Sequence, residues 1–264
     1  MMNLLKKTYL VALGVMTLGF TSCTNEYEYD APSATEHGGN AFISSTGSTT
    51  LYFGDKEEKT FYITVARVDT TAAETIHIIS NDADVAPQSE VVFAAGELSK
   101  KVAVKVSCPA NTQKKATIAI ADDDAFIYAT NKMNFSINVG KQFTASLVSD
   151  LNESTSEVNI FRFETQNSKS ETEYDYIVDQ PYDKGYYISF SIDFANNTAV
   201  LNKQYAGLYN DNYGRIQMAQ TVGTYDSSTK TVSFKNVKFS LPDSGYSMGT
   251  GNEIFTFTVS PDVE

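Results

Sequence analysis

The 264-residue chain predicts an all-β protein, a sandwich followed by a second antiparallel β domain. Three observations carry that expectation. Tyrosine and phenylalanine, 16 of each, are abundant while tryptophan is absent. Short runs of β-branched and aromatic residues alternate with polar ones and are closed by Gly, Asn and Asp. Outside residues 1–22, no segment of ten or more residues keeps a 3.6-residue apolar period.

Residues 1–22 fall outside the fold. Lys6 and Lys7 make a basic start, Tyr9 to Phe20 is uncharged and mostly apolar, and small residues lead to Cys23. The run is shorter than the roughly 20 apolar residues that span a bilayer, so it reads as a secretion signal. Val11-Ala12-Leu13 is a poor A-x-A cleavage triplet. Phe20-Thr21-Ser22-Cys23 resembles instead the lipobox of bacterial lipoproteins, in the loose form common in Bacteroidetes. That resemblance implies lipidation of Cys23 as the first residue of the mature chain. Several acyl chains, at about 0.8 kcal/mol per buried CH₂, hold a protein on its membrane. Glu26, Glu28 and Asp30 follow closely. They look like the acidic signal that sends many such lipoproteins to the outer face of the outer membrane; the alternative is a solvated tether. The expected location is therefore the outer membrane, lipid-anchored and exposed on the cell surface. Residues 23–42, with Pro32, Gly38 and Gly39, read as a lipidated tether.

The formal charge is −12, and removing residues 1–22 takes away lysines but no acid. Such a chain has no electrostatic basis for binding nucleic acid. Anionic lipid would repel it, so attachment rests on the acyl chains. With Cys23 acylated, Cys108 has no disulfide partner in the chain. It follows the alternating run Val102–Val106 and reads as a buried small residue rather than a reactive thiol.

Residues 43–140 form the first domain. Thr49 to Phe53 is a short strand before Gly54-Asp55. Phe61, Ile63 and Val65 share one face of the next, and Thr75 to Ile79 follows. Val91-Val92-Phe93 precedes the turn Ala94-Ala95-Gly96-Glu97. Val102, Val104 and Val106 alternate, as does Ala116 to Ile120, and Phe135, Ile137 and Val139 close the unit. Seven short strands with turn signals at close spacing are the signature of a sandwich.

Phe61-Tyr62-Ile63-Thr64-Val65-Ala66-Arg67, followed by Val92-Phe93-Ala94-Ala95-Gly96-Glu97, resembles the Calx-beta pattern over roughly residues 45–140. The resemblance implies an immunoglobulin-like Greek-key sandwich. Founding members of that family bind calcium through clustered acids at one end, and many bacterial copies are spacers. Asp122, Asp123 and Asp124 are the acids that would hold calcium here, with Asp82, Asp84 or Glu97 from neighbouring loops. Calcium takes six to eight oxygens, whereas adjacent residues on an extended chain point in alternate directions. The run continues into Ala125-Phe126-Ile127-Tyr128, a departure from the family. A solvated turn is the preferred reading and calcium the alternative; no other cofactor is expected.

Residues 141–264 form the second domain. Gln142 to Val148 is a strand, and Val158 to Glu164 another whose inward phase slips between Ile160 and Phe161. Tyr174 to Val178 follows. From Tyr186 to Phe194 every second residue, Tyr186, Ile188, Phe190, Ile192 and Phe194, is apolar. Ala195-Asn196-Asn197 turns the chain into Thr198–Gln204, its asparagines tolerating left-handed backbone. Tyr213 to Thr221 returns, and Asp226 to Lys230 is a second turn. In Thr231–Leu241 the buried set shifts from Val232 and Phe234 to Val237, Phe239 and Leu241, which predicts a bulge near Lys235-Asn236. Asn252 to Val259 closes the domain. Sequential hairpins of this kind make an up-and-down, lipocalin-like barrel or a second sandwich. The pattern also looks like C-terminal domains of uncharacterised Bacteroidetes lipoproteins.

Motifs for chemistry are few. His37 lies in the tether and His77 sits alone on a strand, so a zinc site is not expected. Gly245-Tyr246-Ser247-Met248-Gly249 spells a nucleophile elbow, but no helix pattern and no later histidine follow it. No phosphate-cradling glycine loop occurs. The expectation is that the chain is not an enzyme. The strongest binding candidate is Gln204 to Arg215, read as a loop in which Tyr205, Tyr209 and Tyr213 are mixed with amides, an acid and Arg215. Aromatic faces with polar partners at their rims suit the apolar face and hydroxyl rim of a sugar; the alternative is a tyrosine-rich loop packed over the barrel end. The function expected is a non-catalytic binding or display module directed at glycan capture. The alternative is a structural or adhesive envelope protein that binds another protein.

Overall fold

The computed structural model describes residues 39–45, 47–164, 172–212 and 214–262. Those residues form strands and turns, with no helix among them. The lipobox, Cys23, the acidic residues after it and His37 lie outside the described residues.

The first half is an immunoglobulin-like Greek-key sandwich. One sheet runs β1 (Ala41–Ile43), β3 (Thr60–Arg67), β7 (Ser99–Val106), β5 (Val85–Pro87). The other runs β2 (Thr50–Gly54), β9 (Lys132–Ser149), β8 (Thr112–Ile120), β4 (Glu74–Ser80), β6 (Glu90–Phe93). From β3 to β8 each connection crosses from one sheet to the other, and β2 lies parallel to β9. The expected inward sets, Phe61, Ile63 and Val65 against Val102, Val104 and Val106, are all buried and pair across β3 and β7. Two short strands were not legible as strands. β1 falls partly in the segment expected to be tether, and β5 has only three residues.

Arg67 shows how two sequence-distant runs are joined. It is 1% exposed. Its guanidinium donates to the carbonyls of Glu97 (2.8 Å), Ala72 (2.7 Å) and Ala94 (2.6 Å), lies 5.2 Å from the Phe93 ring centre and pairs with Glu74 at 3.6 Å. A buried cation needs such partners, because an unpaired one costs several kcal/mol. Arg67 thereby ties the turn after β6 to the end of β3.

The second half closes as a barrel. After β9 come β10 (Ser154–Glu164), β11 (Glu173–Val178), β12 (Ile188–Asp193), β13 (Thr198–Leu201), β14 (Gln204–Asn210), β15 (Gly214–Met218), β16 (Thr221–Asp226), β17 (Thr231–Leu241) and β18 (Tyr246–Phe257). β13 and β14, broken at Asn202-Lys203, form one side of a long hairpin, and β15 and β16 form the other. β18 pairs with both β17 and the C-terminal half of β9, so an antiparallel ring of eight strand positions is complete. Of the two architectures the hairpin pattern left open, this is the barrel. The expected turn residues behave as read: Asn197 has φ +52° and Lys230 +56°. The register of β17 against β18 shifts between Phe234 and Val237, where Asn236 has φ +56°.

An eight-stranded barrel is just wide enough for side chains to fill, and aromatic rings fill this one. Phe190 stacks on Tyr176 at 5.3 Å and meets Phe255 at 5.1 Å and Phe234 at 5.6 Å. A buried charge sits near each end of the barrel half of β9, residues 141–149. At the Lys141 end, Arg162 lies over the Tyr174 ring at 4.6 Å, and both Arg162 and the Tyr176 hydroxyl donate to the Pro261 carbonyl. At the Ser149 end is Glu253.

Sandwich and barrel share β9. Its two halves were expected as separate strands, 135–139 and 142–148, yet it runs unbroken for 18 residues. Gly140 makes the crossing possible. A Cβ there would lie 2.8 Å from both the Arg162 carbonyl and the Phe163 ring. The phase slip in β10 has the same origin. Ile160 faces the barrel core, while Phe161 and Phe163 are buried outside it, packed on Gly140, with Tyr52 of β2 6.1 Å from Phe163 and 4.7 Å from Tyr187.

Candidate functional site

The tyrosine-rich stretch is not a loop. Residues 204–210 and 214–218 are the strands of the β14–β15 hairpin, and only its tip turns. The hairpin carries a bulge between Tyr205 and Tyr209. Gly207 sits in the bulge at φ +86°, where a side chain would be strained. A Cβ on Gly207 would lie 2.5 Å from the Cβ of Tyr186. The missing side chain lets Tyr186, from the β11–β12 loop, lie directly on the hairpin.

The result is an open pocket of about 290 Å³ lined by Asp183, Tyr186, Tyr205, Leu208, Tyr209 and Arg215, with Gly207 at its floor. Three of the four expected ligand-binding residues, Tyr205, Tyr209 and Arg215, therefore meet. Tyr213 lies outside the described residues. The Arg215 guanidinium stacks 4.4 Å above the Tyr205 ring centre. Its Nε lies 3.7 Å from Asp243, whose carboxylate also accepts from the Arg215 backbone N–H. A stacked, half-exposed arginine keeps donors available at its edge. Tyr209 and Tyr186 are 67% and 46% exposed, so their ring faces are open to a ligand.

Sequence reasoning missed Tyr186 and Asp183. Tyr186 was read as the first inward residue of a strand, but β12 begins at Ile188. The preceding Gln180-Pro181 and Gly185, with positive φ at Gln180 and Gly185, were the signal that this stretch is a loop.

A second polar cluster lies inside the barrel mouth. Glu253 is fully buried. Its carboxyl accepts from the Tyr182 hydroxyl at 2.5 Å and the Ser149 hydroxyl at 2.8 Å, and those two hydroxyls are themselves 2.8 Å apart. Burial pushes the carboxyl up to about 7, against the opposing pull of the two hydroxyl hydrogen bonds; nearby Asp150 raises it further. Burial likewise raises the Tyr182 phenol, helped by the Glu253 charge. The sequence held a signal for this site, because Glu253 shares the inward parity of Phe255 and Phe257.

The acids weighed for calcium are occupied or apart. Asp124 accepts from the backbone N–H of His77 at 2.6 Å and lies 2.8 Å from its Nδ1. Asp122 and Asp123 are exposed in the turn. Asp82 and Asp84 both hold Lys114 at 2.8 Å, and Glu97 pairs with Lys100. Among the described residues, no group of three or more His, Cys, Asp or Glu is placed to hold a metal ion. Cys108 is buried, and burial raises its thiol. Gly245 of the elbow-like motif sits in the β17–β18 turn at φ +76°, and Ser247 lies on exposed strand.

No protein-family model and no curated protein matches the chain. Among solved structures, a match is the CsuC–CsuE chaperone–tip adhesion subunit pre-assembly complex from the archaic Csu pili of Acinetobacter baumannii. It has 9% identity and a TM-score of 0.23, covering 50% of this chain and 74% of that chain. A score that low carries no argument about this protein.

Proposed function

We propose that the chain is a non-catalytic binding protein, held at the outer-membrane surface through a lipidated Cys23, whose tyrosine pocket captures a neutral glycan. The observation that carries this reading is the convergence of Tyr186, Tyr205 and Tyr209 with Arg215 and Asp183 around one open pocket. A pyranose presents an apolar C–H face that stacks on an aromatic ring and a rim of hydroxyls that need donors and acceptors. The pocket supplies ring faces, a guanidinium and a carboxylate. The test is affinity electrophoresis through gels containing soluble neutral polysaccharides, comparing the native protein with Tyr205→Ala and Tyr209→Ala. At least one polysaccharide should retard the native protein, and each variant should lose tenfold or more in affinity while melting normally. Retardation by none of them, or variants that bind as the native protein does, would defeat the proposal.

A second reading, a protein-binding envelope component, draws on a different feature. β18 pairs with β9 over Glu253–Phe257, and before that stretch Ser247, Gly249 and Thr250 pair with β17 and are exposed. An exposed strand edge of this kind can accept another strand. A stable co-purifying protein together with no polysaccharide binding would favour it.

A further inference from the structure

The β11–β12 loop, residues 179–187, gives the tyrosine pocket two of its walls, Asp183 and Tyr186. Between them and the barrel core stands Tyr182, whose ring packs against that core while its hydroxyl reaches Glu253 and Ser149. We propose that Tyr182 and Glu253 are positioning residues for the pocket: their hydrogen bond inside the barrel mouth latches the loop that holds Asp183 and Tyr186 against β14. This rests on the pocket being the binding site.

Three features make the loop transmit what happens at Tyr182. Pro181, immediately before it, has a fixed φ. The Gln180 side chain spans the loop, its Oε1 accepting from the Gly185 backbone N–H at 2.6 Å. The Tyr186 N–H is bonded to the Asp183 carbonyl at 3.3 Å. The segment is thus braced within itself and moves as a piece. On the far side there is no slack, since Tyr186 lies against the backbone of Gly207. A shift of Tyr182 therefore displaces Asp183 and Tyr186 together. The latch is also oriented. Glu253 receives one hydroxyl on each carboxyl oxygen, and the Ser149 hydroxyl accepts from the Leu151 N–H. Freeing Tyr182 would leave a buried carboxyl oxygen without its partner, which opposes opening.

The test measures amide hydrogen exchange and binding together in Tyr182→Phe, Glu253→Leu and Glu253→Gln. Tyr182→Phe keeps the packed ring and removes only the hydroxyl. It should lower protection at the Gly185 and Tyr186 amides about tenfold while leaving the Ser191 and Ile192 amides of β12 unchanged. Glu253→Leu should do the same. Glu253→Gln, which still accepts from Tyr182, should restore protection to within about threefold of the native value. Affinity for cellohexaose or maltohexaose, whichever the native protein binds, should follow the same order. Native-like protection in Tyr182→Phe, or equal losses in the loop and in β12, would overturn the latch. If the loop amides respond as expected and the native protein binds neither hexasaccharide nor any polysaccharide of the electrophoresis panel, the latch stands and the glycan reading is what fails. A loop that loosens while hexasaccharide affinity stays native would overturn the positioning role.

Discussion

The sandwich and the barrel are built from the same period-2 alternation, yet they bury charge in opposite ways. The sandwich puts Arg67 beneath its surface turns, where three backbone carbonyls from two turns close around it. The barrel puts Arg162 and Glu253 near its two ends, each held by a few groups that reach in from loops or the chain's last residues. In the sandwich the strands switch sheets at almost every connection, so its turns meet one another and satisfy a buried cation. In the barrel nearly every strand pairs with its sequence neighbour, so its loops stand apart and one of them is free to form a pocket with a hairpin. Connectivity, more than composition, decides where each half can place a binding surface.

The sharpest way to break that contrast is to damage each core separately. Phe190→Ala removes the ring at the centre of the barrel's aromatic cluster and should cost about 4 kcal/mol. Because β9 belongs to both cores, urea denaturation followed by circular dichroism should still show one transition, shifted to lower urea. Two resolved transitions would mean that the halves unfold independently. Arg67→Met should cost about 3 kcal/mol by stripping donors from the carbonyls of Ala72, Ala94 and Glu97. Hydrogen exchange should quicken first in the turn 94–97, and a loss confined to the barrel would contradict the clamp.

Glu253 sharpens the comparison through pH. Its folded pKa of about 7 lies above its ordinary value of 4.5. The folded protein therefore holds this proton to higher pH than the unfolded chain does. The corresponding stability is fully present below about pH 4.5 and is lost as pH rises through 7. The loss is on the order of 2–3 kcal/mol at pH 8. Glu253→Gln should flatten the decline between pH 5 and 8, measured as urea midpoints across that range. An unchanged slope would mean that Glu253 is ionised throughout. Removal of Cys23 tests location at little cost in stability: Cys23→Ala should release the protein from membranes with an unchanged midpoint, and continued membrane retention would argue against lipidation.

Much of this fold was legible because its turns are local. Asn197, Lys230 and the bulge at Asn236 follow from nearby residues, and so does the alternation of Val102, Val104 and Val106. What was not legible depends on distant partners. Gly140 looked like a break, although Phe135, Ile137, Val139, Phe143, Ala145 and Leu147 keep one parity across it. The slip of phase at Phe161 was visible, but nothing near it says that Gly140 of β9 packs against the outside of its strand. The site followed the same rule. Tyr205, Tyr209 and Arg215 lie close in sequence and were found together. Tyr186 and Asp183 arrive from another hairpin, and only the bulge at Gly207 lets them in.

The continuous β9 has a mechanical consequence. A strand shared by two cores leaves no hinge between them. Load applied to the barrel passes along extended backbone into the sandwich, where β9 is gripped on both edges, by β2 and β8, over many residues. Rupture would require those rows of hydrogen bonds to shear together rather than unzip one at a time. Such a beam keeps the two halves aligned under tension.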